Sequence, residues 1–327
     1  MTTRFGLVGA GAMAQTWALS LTAVDGVELT AVADPREDAA RTLAEPVGAK
    51  VFTDTESLVK SGLCDAAIIC SPPSTHTDCA LELIAGGVAV LCEKPLAVDC
   101  ASARKVVEAA ADAGVLLTMA SKFRFVEDLV RTRAMIASGL IGDPVFFWTA
   151  IVARVDMTAR WNSNPEVSGG GVIIDNGTHC VDIARYLIGP LTDVFAVEGP
   201  RLQGLEVEDS AKLLLRMESG CHGEVELSWG VSSFSNRYVE VIGTEGVVRV
   251  GFGRSRFRQA NSPQWVEFGT GYDKLQAHTR QIECFTGALR GERELLVTPE
   301  DALASVGAIE AAYTSLRTSA WAPVRGC

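Results

Sequence analysis

Short apolar runs alternate with helical patterns over the first third of the chain. The candidate strands are residues 4–8, 27–33, 66–70, 88–92 and 116–120, with a shorter one around Val51. The candidate helices end at Leu21 or run over residues 55–61, 78–85 and 100–113. Continuous apolar strands separated by amphipathic helices are typical of a parallel sheet covered by helices on both faces. The pattern predicts a doubly wound α/β domain over residues 1–121.

The pattern changes after residue 121, where longer segments alternate apolar and polar residues. The candidate strands are residues 146–153, 193–197, 211–217, 223–229, 238–242, 247–251 and 265–268, and the candidate helices are 125–138, 172–188, 274–289 and 299–318. Residues 243–246 (GTEG) suit the turn of a hairpin. This order predicts an α+β domain over residues 122–327, whose largely antiparallel sheet has one open face. We expect that face to form a homodimer or homotetramer contact.

Composition narrows the possible classes of protein. The 327-residue chain is 48% hydrophobic and 21% charged, which is typical of a well-folded globular protein with two domains. Its net charge of −11 argues against nucleic acid or an anionic membrane as a partner. No apolar run reaches the ~20 residues that span a bilayer. Nine cysteines without a C-x-x-C pair favour buried, reduced thiols and a cytoplasmic location.

A glycine-rich turn follows the first predicted strand and opens the first predicted helix. Gly9 and Gly11 begin a G-x-G-x-x-A pattern that ends at Ala14. In this context the pattern indicates a dinucleotide-binding Rossmann domain, because the glycines allow a tight turn and bring a pyrophosphate close to the helix N-terminus. The predicted cofactor contacts in this turn are Gly9, Gly11, Ala12 and Met13.

The second predicted strand ends in Asp34, whose side chain can accept hydrogen bonds from both hydroxyls of an adenosine ribose. The same carboxylate repels a 2′-phosphate, so the sequence favours NAD over NADP. Arg36 leaves NADP as an alternative cofactor, because a nearby arginine can bind that phosphate. The alternative is that Asp34 is an ordinary turn residue before Pro35.

Two further polar segments directly follow predicted strands. Residues 71–76 (SPPSTH) follow one buried strand, and residues 93–95 (EKP) follow the next. Ligands of parallel sheets bind beyond the carboxyl ends of the strands, so we expect both segments at the same edge as the glycine turn. The predicted cofactor-binding residues in them are Ser71, Pro72, Pro73, His76, Glu93 and Lys94.

The segment 169–182 (GGGVIIDNGTHCVD) carries the candidate chemistry of the second domain. If a helix begins near Val172, then Asp175, His179 and Asp182 lie on one stripe, with apolar residues on the opposite face. A histidine beside carboxylates on a rigid helix suits proton transfer. The alternative is a helix whose polar stripe simply faces water.

Together these motifs resemble the glucose–fructose oxidoreductase / inositol dehydrogenase family, Gfo/Idh/MocA. The resemblance covers nearly the whole chain and rests on VGAGAMA (8–14), Asp34, SPPSTH, EKP and GGGVIIDNGTHCVD. It implies an NAD(P)-dependent dehydrogenase or reductase acting on a hydroxyl-bearing carbon of a sugar, sugar derivative or cyclitol. It also implies that Lys94, Asp175 and His179 are catalytic and that the Lys94–Pro95 peptide is cis. Residues 71–74 (SPPS) depart from the Thr-Pro-Asn of many members, a change that we expect the backbone contacts with the cofactor to survive.

The three candidate catalytic residues have different expected roles. His179 is the natural base, because a neutral imidazole can accept the proton of the substrate hydroxyl. Asp175 either orients His179 or binds a neighbouring substrate hydroxyl. Lys94 either donates a hydrogen bond to the reacting hydroxyl or is itself the base, and the sequence leaves both roles open.

Substrate contacts are expected from the second domain and the crossover into it. Residues 153–162 (ARVDMTARWN) combine cations with an aromatic ring, which suits stacking on a sugar face and binding of a phosphate or another acidic group. Solvated loop arginines are the alternative. The predicted substrate-binding residues are Lys94, Lys122, Arg124, Arg154, Arg160, Trp161, Asp175 and His179. No metal site is expected, because Asp175 and His179 lack a third grouped ligand.

Two other functions stay open at this point. The same fold can support an NAD-dependent glycoside hydrolase that oxidises a sugar carbon transiently, eliminates a glycoside and then reduces the product. It can also support a non-catalytic binding protein that senses a dinucleotide, although such a protein does not need Lys94, Asp175 and His179.

Overall fold

The computed structural model describes residues 2–233 and 235–327, which form two compact units. The first unit runs to Lys122 and also includes Lys274–Leu303 and Cys327, and the second comprises Phe123–Asp273 and Ala304–Gly326. Met1, the first residue of the first predicted domain, lies outside the described residues. A division of the chain at residue 121 does not include Lys274–Leu303 in the first unit, where this segment belongs. The amphipathic pattern of a helix does not specify the sheet on which the helix packs.

The first unit contains a six-stranded parallel sheet with the strand order β3-β2-β1-β4-β5-β6. Its strands are β1 (Thr3–Val8), β2 (Val27–Ala33), β3 (Lys50–Phe52), β4 (Ala66–Ile69), β5 (Ala89–Cys92) and β6 (Leu117–Met119). Its helices are α1 (Ala12–Leu21), α2 (Glu37–Ala44), α3 (Thr55–Lys60), α4 (Pro73–Ala85) and α5 (Cys100–Ala113). Every residue of β4 and β5 is buried, which explains their unbroken apolar sequences. The predicted doubly wound Rossmann sheet is confirmed.

The second unit is built on a nine-stranded sheet with the order β14-β13-β12-β11-β7-β10-β9-β8-β15. Its strands are β7 (Pro144–Val152), β8 (Leu191–Glu198), β9 (Ser210–Met217), β10 (His222–Ser228), β11 (Arg237–Gly243), β12 (Gly246–Gly251), β13 (Ser255–Gln259), β14 (Val266–Phe268) and β15 (Ala322–Pro323). Its early helices are α6 (Glu127–Ala137), α7 (Pro165–Ser168) and α8 (Thr178–Leu187). Only the β7–β10 pair is parallel among these described strands. The predicted largely antiparallel sheet is therefore confirmed.

The two faces of this sheet differ in what covers them. On one face, Thr149 of β7 contacts the thiol of Cys180 on α8. On the opposite face, Phe146, Leu214 and Ile242 stay 56%, 39% and 40% exposed. Alternate residues of a strand point to opposite faces, so these three side chains lie on the face away from Cys180. Their exposure shows that this face is open at these positions.

Two long helices complete the chain, α9 (Lys274–Leu289) and α10 (Pro299–Thr318). α9 belongs to the first unit, where it packs on α1. The ring of Phe285 lies 6.3 Å from that of Phe5 on β1, centroid to centroid, and both side chains are buried. The first unit thus has a core made from both ends of the sequence.

The cysteines differ in part from the expectation of reduced thiols. Seven of the nine are free in the described chain, and Cys100 and Cys327 form a disulfide across a sequence separation of 227 residues. No spacing rule connects residues so far apart, so the sequence alone does not indicate this pair. Within residues 2–233 and 235–327, no helix combines the length and the apolar character needed to cross a bilayer.

Candidate active site

The glycine turn of the first unit has the geometry that a dinucleotide requires. Gly9 adopts φ +95°, and a Cβ there would lie 2.6 Å from the backbone nitrogen of Ser71, so only glycine fits. Gly11 precedes α1, and apart from atoms of its immediate neighbours in the chain no described atom lies within 4 Å of the position that its Cβ would take. The open space and the first amides of α1 fit a pyrophosphate. Of the other predicted contacts in this turn, Ala12 is exposed and Met13 is half-buried.

Asp34 lies directly beside this turn. Its Oδ2 accepts a hydrogen bond from the amide of Ala10 at 2.7 Å, and its Oδ1 accepts bonds from the amide and Nε of Arg36 at 2.8 and 3.1 Å. Burial acts to raise the pKa of Asp34, but the hydrogen bonds from Arg36 and Ala10 outweigh it and hold the pKa below its usual value. A charged carboxylate at the end of β2 suits ribose hydroxyls, and the mostly exposed Arg36 can move aside for them.

His76 joins the two polar segments that follow β4 and β5. Its Nε2 lies 2.9 Å from the carbonyl oxygen of Ser71 and its Nδ1 lies 2.8 Å from that of Pro95. The side chain is buried, and burial lowers the pKa of His76 despite the two carbonyl partners. His76 therefore links the loop after β4 to the loop after β5. Of the other predicted cofactor contacts in the first loop, Ser71 and Pro72 are half-buried, and Pro73 is buried at the start of α4.

Glu93 and Lys94 are held at the end of β5. Glu93 Oε1 accepts a hydrogen bond from the indole of Trp17 at 2.8 Å, and its Oε2 accepts one from the amide of Lys94 at 3.2 Å. Lys94 is half-buried, and the Lys94–Pro95 peptide is cis, as the resemblance implies. Sequence reasoning missed Trp17, because a tryptophan in the apolar pattern of α1 gives no sign that its N–H supports a loop.

Asp175 and His179 occupy one helical segment of the second unit, but its first turn is not the predicted α-helix. Ile173–Gly177 is a π-helical turn that runs into α8, and π-turns are frequent at functional sites. Asp175 is half-buried in this turn and His179 lies in the first turn of α8. The ring of His179 meets that of Phe123 edge-on, with 5.1 Å between the centroids. Phe123 in turn stacks on Tyr272 at 5.4 Å, a support that the sequence did not indicate.

Asp182 departs from the predicted polar stripe. It is buried, and its carboxylate pairs with Arg124, whose Nη2 and Nε donate at 2.8 and 3.0 Å. Arg124 is also buried, so the geometry gives it a structural partner and lends no support to its predicted contact with substrate. The stripe that the sequence suggested is therefore reduced to Asp175 and His179.

The remaining predicted substrate residues differ in exposure. Arg154, Arg160 and Trp161 are exposed, whereas Lys122 is half-buried. Gln203 anchors the segment between Arg154 and Arg160, accepting from the amide of Met157 at 2.9 Å and donating to the carbonyl of Val155 at 3.0 Å. In the described part of the chain, no cluster of three or more His, Cys, Asp or Glu side chains could hold a metal ion.

Family models match both units of the chain. Residues 3–121 match an oxidoreductase family described by its NAD-binding Rossmann fold, and residues 129–249 match the GFO/IDH/MocA C-terminal domain. The chain belongs to the Gfo/Idh/MocA oxidoreductase family. The resemblance inferred from the motifs is thereby confirmed, and the first unit is the NAD-binding domain of this family.

Individual relatives extend the likeness over nearly the whole chain. Inositol 2-dehydrogenase of Rubrobacter xylanophilus is 32% identical, with 96% of this chain and 91% of the relative covered. The rhizopine catabolism protein MocA of Rhizobium meliloti is 31% identical, with 94% and 93% covered. A levoglucosan dehydrogenase solved in complex with NADH has a TM-score of 0.92 over 100% of both chains, and its 20% identity shows the shared fold alone. The roles of Lys94, Asp175 and His179 in this Gfo/Idh/MocA chain stay predictions.

Proposed function

We propose that the protein is an NAD(H)-dependent dehydrogenase or reductase acting on a CH–OH group of a cyclitol, a sugar or a sugar derivative. The observation that carries the proposal is the segment 169–182, which places Asp175 and His179 on one helical element of a Gfo/Idh/MocA chain. The 32% identity to an inositol 2-dehydrogenase over 96% of the chain supports the substrate class. Exposed arginines at 154 and 160 make phosphorylated or acidic derivatives worth including among candidate substrates.

Each candidate residue supplies a distinct part of the chemistry. NAD, when bound, accepts the hydride from the carbinol carbon. His179 removes the hydroxyl proton, and Asp175 either orients its ring or binds a neighbouring hydroxyl. Lys94 stabilises the negative charge that develops on the substrate oxygen, or takes the proton itself.

On the cofactor side, the first unit supplies binding and orientation. The amides at the start of α1 and the backbone of Gly9–Gly11 hold the pyrophosphate. Asp34 accepts from the adenosine ribose, and the loops joined by His76 present Ser71 and Lys94 to the rest of the nucleotide.

A substrate panel tests the proposal directly. The purified protein, incubated with NAD and separately with NADP, should form reduced cofactor with at least one inositol, free sugar or sugar phosphate. Glycoside cleavage without net reduction of cofactor would favour the hydrolase instead, and nucleotide binding without turnover across the panel would favour the sensor. Absence of binding to either nucleotide would contradict the proposal.

Replacing Asp34 with alanine should weaken NAD binding by roughly tenfold to a hundredfold. Hydrogen bonds to a charged group contribute about 1.5–3 kcal/mol each, and about 1.4 kcal/mol is tenfold in affinity. The affinity for NADP should fall less, because Arg36 is released from Asp34. Because its lowered pKa keeps Asp34 ionised, its contribution should persist above the ordinary Asp pKa of about 3.9 and be lost only as the pH falls through the lowered value.

Calorimetric titration of both nucleotides measures this effect, with exposed Asp25→Ala as the matched control. Equal NAD affinities for Asp34→Ala and Asp25→Ala would remove Asp34 from the cofactor site.

We also propose that the open face of the second sheet forms a homo-oligomer. Phe146, Leu214, Ile242 and Val197 are exposed apolar residues on this face, with Phe146 and Ile242 paired across β7 and β11, and exposed apolar surface of this kind is typical of association sites. Phe146→Glu should therefore reduce the mass measured by light scattering after size-exclusion chromatography. Leu19→Glu is the control, because Leu19 on α1 of the other unit is 57% exposed, like Phe146 at 56%. A wild-type protein of monomer mass would contradict the proposal.

We place the protein in the cytoplasm, the location in which seven free thiols are most readily maintained.

A further inference from the structure

A buried carboxylate lies at the start of the helical segment that carries Asp175 and His179. Glu208 is 5% exposed, and its Oε1 accepts hydrogen bonds from the amides of Gly171 and Ile173, each at 3.1 Å. The hydroxyl of Tyr313 on α10 donates to the same oxygen at 2.8 Å. We infer that Glu208, supported by Tyr313, is a positioning residue for Asp175 and His179, an inference that rests on the proposed function.

The first argument is the pattern of hydrogen bonds. The initial amides of a helix lack partners within the helix, and a carboxylate that accepts from them both satisfies them and interacts favourably with the helix dipole. Glu208 does this from a different part of the chain, and its own carbonyl oxygen also accepts from the amide of Val172 at 2.9 Å. Three successive amides, from Gly171 to Ile173, are thus fixed to one residue where the π-turn begins.

The second argument is steric, and it accounts for two of the three glycines in the motif. A Cβ on Gly171 would collide with the carbonyl oxygen of Glu208, and a Cβ on Gly170 would collide with the hydroxyl of Tyr313. The backbone of the motif can approach the Glu208–Tyr313 pair this closely only because those positions lack side chains. The glycines and the buried pair therefore form one arrangement that sets where the helical segment begins.

The third argument concerns what this starting point controls. The amide of Asp175 donates to the carbonyl oxygen of Gly171 at 3.0 Å, so the first turn is built directly on the residue that Glu208 holds. His179 follows one turn later, in the first turn of α8. A rotation or shift at Gly171 and Ile173 is carried along the helix to both side chains. Catalysis is sensitive to such shifts, since a misplacement of about 1 Å can cost about 10²-fold in rate.

Burial of the Glu208 carboxylate has an electrostatic cost. Burial raises the pKa of Glu208, although Tyr313 and the two amides oppose this shift. An apolar side chain would fill the same space without that cost, but it would leave the amides of Gly171 and Ile173 unsatisfied.

Three variants test the inference: Glu208→Ala, Glu208→Gln and Tyr313→Phe, with exposed Glu206→Ala as the matched control. Glu208→Ala should lower kcat by about tenfold to a hundredfold while the KM for NAD stays unchanged, because the cofactor loops belong to the other unit. Glu208→Gln keeps an oxygen acceptor for the amides, so it should recover most of the lost kcat. Tyr313→Phe should have an intermediate effect.

Hydrogen exchange of the peptide covering residues 169–182 supplies a readout that does not depend on turnover. Exchange should be faster in Glu208→Ala than in Glu206→Ala, and close to wild type in Glu208→Gln. If Glu208→Ala does not fold, the Glu208→Gln and Tyr313→Phe comparison decides the question by the same measurements. Wild-type kcat in all three variants, or unchanged exchange in this peptide, would overturn the inference. If Glu208→Ala speeds exchange in this peptide but the wild-type protein reduces no cofactor with any substrate of the panel, only the proposed function is contradicted.

Discussion

Alanine at Lys94 or His179 should lower kcat for hydride transfer by about 10²–10⁴-fold, the range that a positioned acid or base contributes. Each of the two residues has a part in the proposed handling of the substrate proton and oxygen charge, so each variant should lose most of the activity on its own. NAD affinity should be unaffected by His179→Ala, because the glycine turn and Asp34 lie in the first unit. Steady-state kinetics with the best substrate of the panel, together with NAD titration, measure both effects.

Lys60→Ala and His222→Ala are the matched controls for this experiment, since each replaces an exposed residue of the same type in the same unit. The pH profile of kcat/KM then identifies the proton acceptor. The variant that lacks the acceptor loses the acidic limb of the profile, whereas the other variant keeps it at a lower rate. Turnover of both Lys94→Ala and His179→Ala at the level of their controls would refute the proposed mechanism.

The parallel sheet was predictable because its strands are buried on both faces. In β4 and β5 every position is buried, so the sequence is apolar without interruption and differs clearly from the helices around it. The glycine turn was predictable for a local reason as well, since the strand, the turn and the helix are consecutive. Such features depend on neighbours in sequence, and sequence patterns record them well.

β13 was missed for the opposite reason. Its sequence, SRFRQ, has a single apolar residue, because Arg256 and Arg258 are exposed and lie over the ring of Trp265 at 4.5 and 5.3 Å. A strand whose arginines are held over an aromatic ring shows too little hydrophobic alternation to be recognised from its sequence. The π-turn before α8 was missed too, because its sequence fits the spacing of an ordinary helix.

Contacts between residues far apart in sequence limited the prediction of the site. The expectation that Arg124 binds substrate gives no sign of its buried partner Asp182, which lies 58 residues away in the sequence. The supports of the candidate catalytic segment, Glu208 and Tyr313, are likewise separated from each other by 105 residues. A single sequence identifies side chains capable of chemistry, while their supporting partners become visible only in the fold.

Arg124→Ala should destabilise the protein by about 3–5 kcal/mol, because it removes the bidentate partner of a buried carboxylate. The side chains of Arg124 and Asp182 are 5% and 3% exposed, and the carboxylate receives bonds from two guanidinium nitrogens. The double variant Arg124→Met/Asp182→Leu should recover most of this loss, since apolar residues of similar volume often replace a buried pair without penalty. Urea-induced unfolding, analysed for the second unit, measures both changes.

Arg131→Ala is the control, because Arg131 forms an exposed ion pair with Glu127 one turn away on α6, which should contribute only about 0.3–0.5 kcal/mol. The same variants separate the structural role of Arg124 from the predicted role in substrate binding. Substitution of a residue with a structural role changes the midpoint of unfolding and leaves the KM of the folded enzyme for its substrate nearly unchanged. If Arg124→Ala kept its midpoint and raised that KM, the guanidinium would have to reach the substrate, and the pairing with Asp182 would be secondary.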